Sequence, residues 1–311
     1  MDVLTDLLQR SAARGAAFSR TVAYGDWGLR FPGDAGLAVH AIVDGEVHLW
    51  TSSPGEAVQL LPGDIVLVRE DTVHCVARVA GGRCVPLESV MGPGTGVSRR
   101  ICVGDPAHGV TASFFCGAYK FEGELFAGLL RALPDLLQLR PACGSSLRAT
   151  LDLLAGEMLR DEPGQQTLLD RLLDVALVQI LREYFAAQPS AAPAWFRASA
   201  DARIGAVLEL LHADPAHAWT VAELADVAHL SRSAFARRFT EMLGVAPVTY
   251  LNDWRMALAR ERLRDTDARL AAIGQSLGYA SEFSFAAAFK RHHGVSPGRW
   301  RASARAAVAA G

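Results

Sequence analysis

Apolar positions along the 311-residue chain change their period twice. Residues 20–119 carry short alternating runs broken by Gly, Pro and Asp, among them 27–31, 37–43, 46–50, 57–61, 64–68, 74–77 and 111–116. Alternation of period two predicts half-buried strands. Asp44-Gly45 predicts a hairpin. Many short strands at this spacing predict an antiparallel sandwich or barrel. From 123 to 187 the period is helical, and helices are predicted over 125–132, 145–158 and 166–186. Residues 188–193 hold two prolines and predict a linker.

Over the last third the helical pattern repeats itself. Ser231-x3-Phe235-x3-Phe239-x4-Gly244-Val245-x-Pro247 returns as Ser281-x3-Phe285-x3-Phe289-x4-Gly294-Val295-x-Pro297, each position at an offset of 50. Self-similarity at fixed spacing predicts two copies of one supersecondary unit. In the first copy Thr220-x-x-Glu223 predicts a capping box opening a short helix. Ser231 then caps a second helix with Phe235 and Phe239 on its inner face, and Gly244 ends it. In the second copy Leu270, Ile273 and Leu277 line the short helix, Gly278-Tyr279-Ala280 makes the turn, and Ser281 caps the next helix. Two helices joined by so short a turn are a helix-turn-helix. Between the copies, 250–264 predicts one continuous helix of roughly 22 Å at ~1.5 Å per residue. That length suits two reading heads in successive major grooves, ~34 Å apart.

The outward residues of each second helix fit this expectation. Arg232, Ser233, Ala236 and Arg237 fall away from the first Phe stripe, and Glu282, Ser284, Ala286, Ala287 and Lys290 from the second. In a helix-turn-helix such positions face base edges of double-stranded DNA in the major groove. Arginine pairs with guanine, and small residues permit methyl contacts. The predicted DNA-binding set is Ser231, Arg232, Ser233, Ala236, Arg237, Arg238, Ser281, Glu282, Ser284 and Lys290. Arg232, Ser233 and Arg237 are assigned most of the base readout. Arg238, Lys290 and the amides behind Ser231 and Ser281 are assigned phosphates. The second copy presents alanines outward, so the two copies are expected to read unequally.

This region resembles the DNA-binding domain of the AraC/XylS family of bacterial transcription regulators. Trp219-Thr220-Val221-x-Glu223-Leu224-Ala225, Gly278-Tyr279-x-Ser281-x2-Ser284-Phe285-x3-Phe289-Lys290 and Gly294-Val295-Ser296-Pro297-x2-Trp300-Arg301 carry the resemblance over about residues 201–303. Gly274 stands where that family usually has alanine. The strand region resembles a cupin, the jelly roll that serves many such regulators as sensor. His40-x4-Gly45, Leu61-Pro62-Gly63-Asp64-x2-Leu67, His74 and Phe115-Cys116-Gly117-x2-Lys120-Phe121 carry that second resemblance. The HxH pair and acidic ligand of an enzymatic cupin are missing, since Ala41 and Ile42 follow His40.

The cupin resemblance places His40 and His74 where ligands enter the barrel, with Cys116 on a later strand. Two histidines and a thiolate suit zinc or copper. The alternatives are hydrogen-bonded barrel histidines beside a buried thiol, or an organic-ligand pocket. A third signal, cysteine oxidation, needs an exposed low-pKa thiolate.

The expected fold class is α+β multidomain. Residues 1–187 form an N-terminal antiparallel β-barrel, a cupin-like jelly roll, plus helices for sensing and dimerisation. Residues 188–200 form a linker, 201–303 an all-α double helix-turn-helix, and 304–311 a disordered tail. Lys and Arg outnumber Asp and Glu over 201–311 and are outnumbered before it, within a formal net charge of −2. A basic segment beside an acidic one fits a DNA reader fused to a sensor. The five cysteines form no CxxC pair, and neither a signal-peptide pattern nor an 18-residue apolar run is present. A cytoplasmic location in a bacterium follows as the expectation. The expected function is a sequence-specific, non-enzymatic transcription regulator answering a small molecule, metal or redox signal. Promoter DNA, a second copy of the chain, an effector and, for an activator, RNA polymerase are the expected partners. The alternative is a cupin-type metalloenzyme, an isomerase or oxygenase, with a helical accessory domain.

Overall fold

The computed structural model describes residues 3–10, 17–33, 36–69, 72–91, 98–119, 130, 132–160 and 162–310. They fall into two compact units, one holding the strands and the other most of the helices.

The strand unit contains β1 (Ala17–Tyr24), β2 (Gly28–Phe31), β3 (Leu37–Gly45), β4 (Val47–Trp50), β5 (Val58–Leu60) and β6 (Ile65–Arg69). β7 (His74–Ala77), β8 (Val85–Pro86), β9 (Ser98–Gly104), β10 (Val110–Tyr119) and β11 (Leu136–Leu139) follow. One sheet runs β11-β6-β3-β10-β1-β9 and the other β5-β4-β7-β2-β8. Their inner faces share one core, with Leu29, Val47, Leu49, Leu60, Val66, Val76 and Phe114 all fully buried. No strand belongs to both sheets, so the expected barrel is two facing sheets that hydrogen bonds do not close. The ladders are antiparallel as expected, except at the outer pairs β1·β9 and β2·β8, which are parallel. There a late strand returns along the open side of an early one.

The Leu61-Pro62-Gly63-Asp64 motif is a turn held by its own last side chain. Asp64 Oδ2 accepts from the Leu61 amide at 3.0 Å, and Arg140 donates twice to the carboxylate at 2.8 Å. Burial would raise this carboxyl, but Arg140, Leu61 and Gln138 together hold it below its usual value. Gly63 has φ +89°, a left-handed backbone that favours glycine.

After the sheets come α2 (Ser146–Glu157) and α3 (Gln165–Ala187), close to the predicted bounds. (α1 is the N-terminal helix, below.) The helix predicted over 125–132, and the Lys120-Phe121 pair, lie largely outside the described residues. Within the same stretch, Leu136–Leu139 is a strand instead of helix, pairing with β6 from Leu136↔Val68 to Leu139↔Ile65. Pro134 and Pro141 bracket it and deny a helix its backbone donors.

The helical unit begins, unexpectedly, with α1 (Val3–Arg10). Val3 is 1% exposed in the core of this unit, and Asp6 is buried against His212 at 3.1 Å. The first residues therefore belong with the C-terminal helices and not with the sensor, contrary to the expected 1–187 domain. The predicted linker 188–200 contains α4 (Ala194–Ser199), because Ala198 is fully buried and Trp195 packs on the same core. α5 (Ala202–Ala213) follows, capped by Asp201.

α6 (Val221–Val227) and α7 (Arg232–Leu243) form the first helix pair, and α9 (Leu270–Gln275) and α10 (Glu282–His293) the second. α8 (Pro247–Asp265) joins them, starting three residues earlier than predicted. Proline at its first position costs no hydrogen bond, which explains the earlier start. α11 (Pro297–Ala310) carries helix through 304–310, where the sequence predicts a disordered tail. Alanine favours helix, and Arg301 and Arg305 donate to the Ala268 and Thr266 carbonyls.

The repeat has two registers. The second helices match at 50, but the turn bonds Leu230 N→Ala225 O and Tyr279 N→Gly274 O match at 49. The left-handed turn residue is His229 at φ 52° in one copy and Gly278 at φ 83° in the other. The second turn is thus one residue longer before its serine cap.

Candidate nucleic-acid interface and the buried relay of the strand unit

Ser231 Oγ accepts from the Ala234 amide at 3.3 Å and opens α7. Ser281 opens α10 through a capping box, with Ser284 N donating to Ser281 Oγ at 3.1 Å and Ser281 N to Ser284 Oγ at 3.2 Å. Phe235, Phe239, Phe285 and Phe289 are fully buried. Those four anchors turn the opposite faces of both helices to solvent.

Arg232, Ser233 and Arg237 are exposed, and Ala236 is half-buried between them. Arg237 lies 3.8 Å from Glu241 one turn on, and its side chain is 73% exposed. Arg238 is ion-paired with Asp201, so a phosphate would have to compete with that carboxylate. Glu282 and Lys290 are exposed. Ser284 is half-buried, and its hydroxyl donates to the Ser281 carbonyl at 2.8 Å, which makes it a capping group first. Sequence reasoning passed over Phe283, which is 84% exposed at the second position of α10. The signal was present, because an offset of 50 sets Phe283 on Ser233.

In the strand unit the register sets Cys116 opposite His40 and Phe31 opposite His74. His40 and His74 are each 1% exposed, and Cys116 is 7% exposed. Cys116 Sγ lies 2.9 Å from His40 Nδ1, and His40 Nε2 lies 2.8 Å from His74 Nε2. His74 Nδ1 lies 3.1 Å from the Thr72 carbonyl. A carbonyl only accepts, so His74 Nδ1 carries hydrogen and its Nε2 is a lone pair. His40 must then donate from Nε2 and accept at Nδ1 from the thiol. The result is a one-way chain, Cys116→His40→His74→Thr72, in which every group is neutral and paired.

Burial enforces that neutrality. Burial, and the adjacent His74 ring, lower His40 well below the usual imidazole value. Burial lowers His74 to about 4 and raises the Cys116 thiol to about 12. Phe31 stacks on His74 at 4.9 Å and meets His40 edge-on at 4.7 Å.

The structure thus brings His40, His74 and Cys116 together in one hydrogen-bonded line. One cation would need a lone pair from each aimed at a common point. His40 instead turns opposite ring nitrogens to its two neighbours. Among the described residues no group of three or more His, Cys, Asp or Glu is placed to hold a metal. As oriented, His40 offers one ring nitrogen to each neighbour, so a single zinc or copper ion would need these side chains to turn. Burial and the neighbouring Cys75 push the Cys84 thiol up to about 12.

A cleft of about 880 Å³ opens in the same unit, lined by Trp27, Gly28, Val85, Val90, Cys102 and Val103 among others. Trp27 is 6% exposed, and its indole N–H has no hydrogen-bond partner among the described residues.

Residues 2–186 match the cupin family, and 224–303 match a helix-turn-helix domain family. An AraC-like transcription regulator of Streptomyces antibioticus is 33% identical over 306 residues, covering 97% of this chain and 98% of that protein. The chain belongs to the AraC-like transcription regulators. An RCS-specific HTH-type transcriptional activator of Escherichia coli, RclR, is 29% identical over 98% of this chain and 99% of its own. The DNA-binding domain of AdpA, solved with a target DNA, is 29% identical over 36% of this chain and all of its own, with a TM-score of 0.34.

As an AraC-like regulator the chain joins a DNA-binding helix-turn-helix domain to a cupin-like ligand-sensing domain. The regulator's departure at Gly274 now has a reason. A Cβ there would lie 2.8 Å from Phe285 Cβ, so the glycine lets α9 and α10 close together. No helix among the described residues is long and apolar enough to cross a membrane.

Proposed function

We propose that this regulator binds promoter DNA sequence-specifically as a homodimer in the bacterial cytoplasm, reading bases mainly through Arg232, Ser233 and Arg237. The observation that carries the reading is the duplicated helix pair, whose copies bury the same phenylalanines and expose the same outer positions. Arginine on such a face pairs with guanine O6 and N7. Lys290 and the amides behind Ser231 and Ser281 hold phosphates, with Arg238 doing so once released from Asp201.

Dimerisation is supported by four large apolar side chains left exposed in and between α2 and α3: Leu153, Leu159, Leu168 and Val175. The effector is a small molecule bound in the cleft lined by Trp27, Val85, Val90 and Val103. RNA polymerase is a partner if the output is activation. The neutral, self-satisfied relay supports a regulator over the metalloenzyme alternative, because it leaves no open cation position.

The test is Arg237→Ala in the full chain, assayed on a selected operator. Preference at one base should relax by roughly 1–3 kcal/mol. Unchanged affinity and base preference would overturn the assignment.

A further inference from the structure

We infer that Phe283 is a base-reading residue that recognises the C5-methyl group of thymine in the major groove. The inference rests on the reading above, in which α10 enters a major groove.

Phe283 is 84% exposed, more than any other large apolar side chain among the described residues. It lies two residues before Phe285, about 200° around the helix from that buried anchor, so it cannot join the core without breaking the Phe285/Phe289 packing. The Ser281–Ser284 capping box fixes the turn that carries it. Its repeat partner Ser233 is exposed at the same position of α7.

The neighbours decide what it can read. One turn on stand Ala286 and Ala287, and two turns on stands Lys290. The first two are too short to obstruct a ring, and Lys290 supplies a cation at the far end of the face. Glu282 is exposed beside it, a carboxylate that accepts only from cytosine or adenine amino groups. Phe283, Ala286 and Ala287 offer no donor or acceptor. Those three side chains cannot distinguish guanine from adenine by hydrogen bonds. Among major-groove edges only the thymine methyl is apolar. Burying that methyl under the ring removes both apolar groups from water.

The experiment uses the full chain and an operator selected by it from random duplexes. Guanine-N7 methylation interference first maps major-groove contacts. Each thymine in the stretch contacted by the second helix pair is then replaced by uracil, which lacks the methyl, and by 5-bromouracil, whose bromine replaces its bulk. Wild-type protein should bind about fourfold more weakly at one or two uracil positions, the loss expected for one methyl-sized group, and recover with 5-bromouracil. Phe283→Ala should weaken binding to the thymine operator by about tenfold and be indifferent to uracil at those positions. Phe283→Leu should keep part of the uracil sensitivity. The thermal midpoint of Phe283→Ala should not fall, since the ring touches little of its own fold.

Two separate interference patches with no uracil effect on the wild type would overturn the role of Phe283 while leaving the two-headed reading intact. Equal uracil sensitivity in wild type and Phe283→Ala would do the same. A single patch would overturn the underlying reading of α10.

Discussion

Lowering the pH below the ordinary histidine value should destabilise the strand unit through its buried relay. His74 titrates near 4 in the folded chain, against 6.5 for an ordinary histidine. Between those values the unfolded chain takes up a proton that the folded chain refuses. The contribution of His74 is therefore complete above pH 6.5 and is lost as pH falls toward 4. About 2.5 pH units at ~1.4 kcal/mol each gives a loss of ~3.5 kcal/mol from this group alone. His40 is shifted in the same direction and adds to it. Asp64 is lowered below the usual carboxylate value, so its own loss falls at more acid pH. The assay is hydrogen exchange in urea, read on peptides from β3 and β10 so that only this unit reports. Stability from that readout is compared at pH 7.5 and 4.5 for wild type and His74→Gln. The glutamine should cost about 1–3 kcal/mol at pH 7.5, because His40 loses a well-placed acceptor. It should also flatten the pH dependence by roughly 2–3 kcal/mol. Identical pH slopes in the two proteins would refute the neutral relay.

Three further outcomes are expected. Gly274→Ala gains about 1 kcal/mol of helix propensity but forces its methyl onto Phe285, for a net loss of about 1–2 kcal/mol, read as a lower thermal midpoint. His229→Gly relieves a left-handed non-glycine residue and should stabilise the helical unit by about 0.5–1 kcal/mol, a rise of a few degrees in that midpoint. Leu168→Glu with Val175→Glu puts two charges on an exposed apolar stripe one heptad apart, and sedimentation should show the dimer replaced by folded monomer.

What could be read in the sequence was local. Ser231, Ser281 and the Thr220-Glu223 box cap helices because capping needs only neighbours three residues away. The buried phenylalanines follow from their spacing. Asp64 in its turn was visible as a motif, although its partner Arg140 was not. What could not be read depends on distant pairing. Val3 and Asp6 lie some two hundred residues from the helices they pack on, and nothing in the local pattern of α1 marks that partner. Residues 136–139 form a strand because β6 offers an edge, which outweighs a leucine-rich run that suits either structure. His40, His74 and Cys116 lie together in the fold. Their order as a proton-directed chain depends on which ring nitrogen faces which neighbour, a property of rotamers and not of spacing. Phe283 was legible through the repeat, but reading the second helix for polar groups alone hid it.

Two helix pairs that read one stretch of duplex together should show sequence preference. Selection from random duplexes by the full chain, followed by competition with unrelated DNA at physiological salt, tests it most directly. A bipartite motif is expected, its halves about one helical turn apart and bound at least ~10³-fold more tightly than unrelated DNA. Salt-sensitive binding with no enriched motif, equal for operator and competitor, would contradict it.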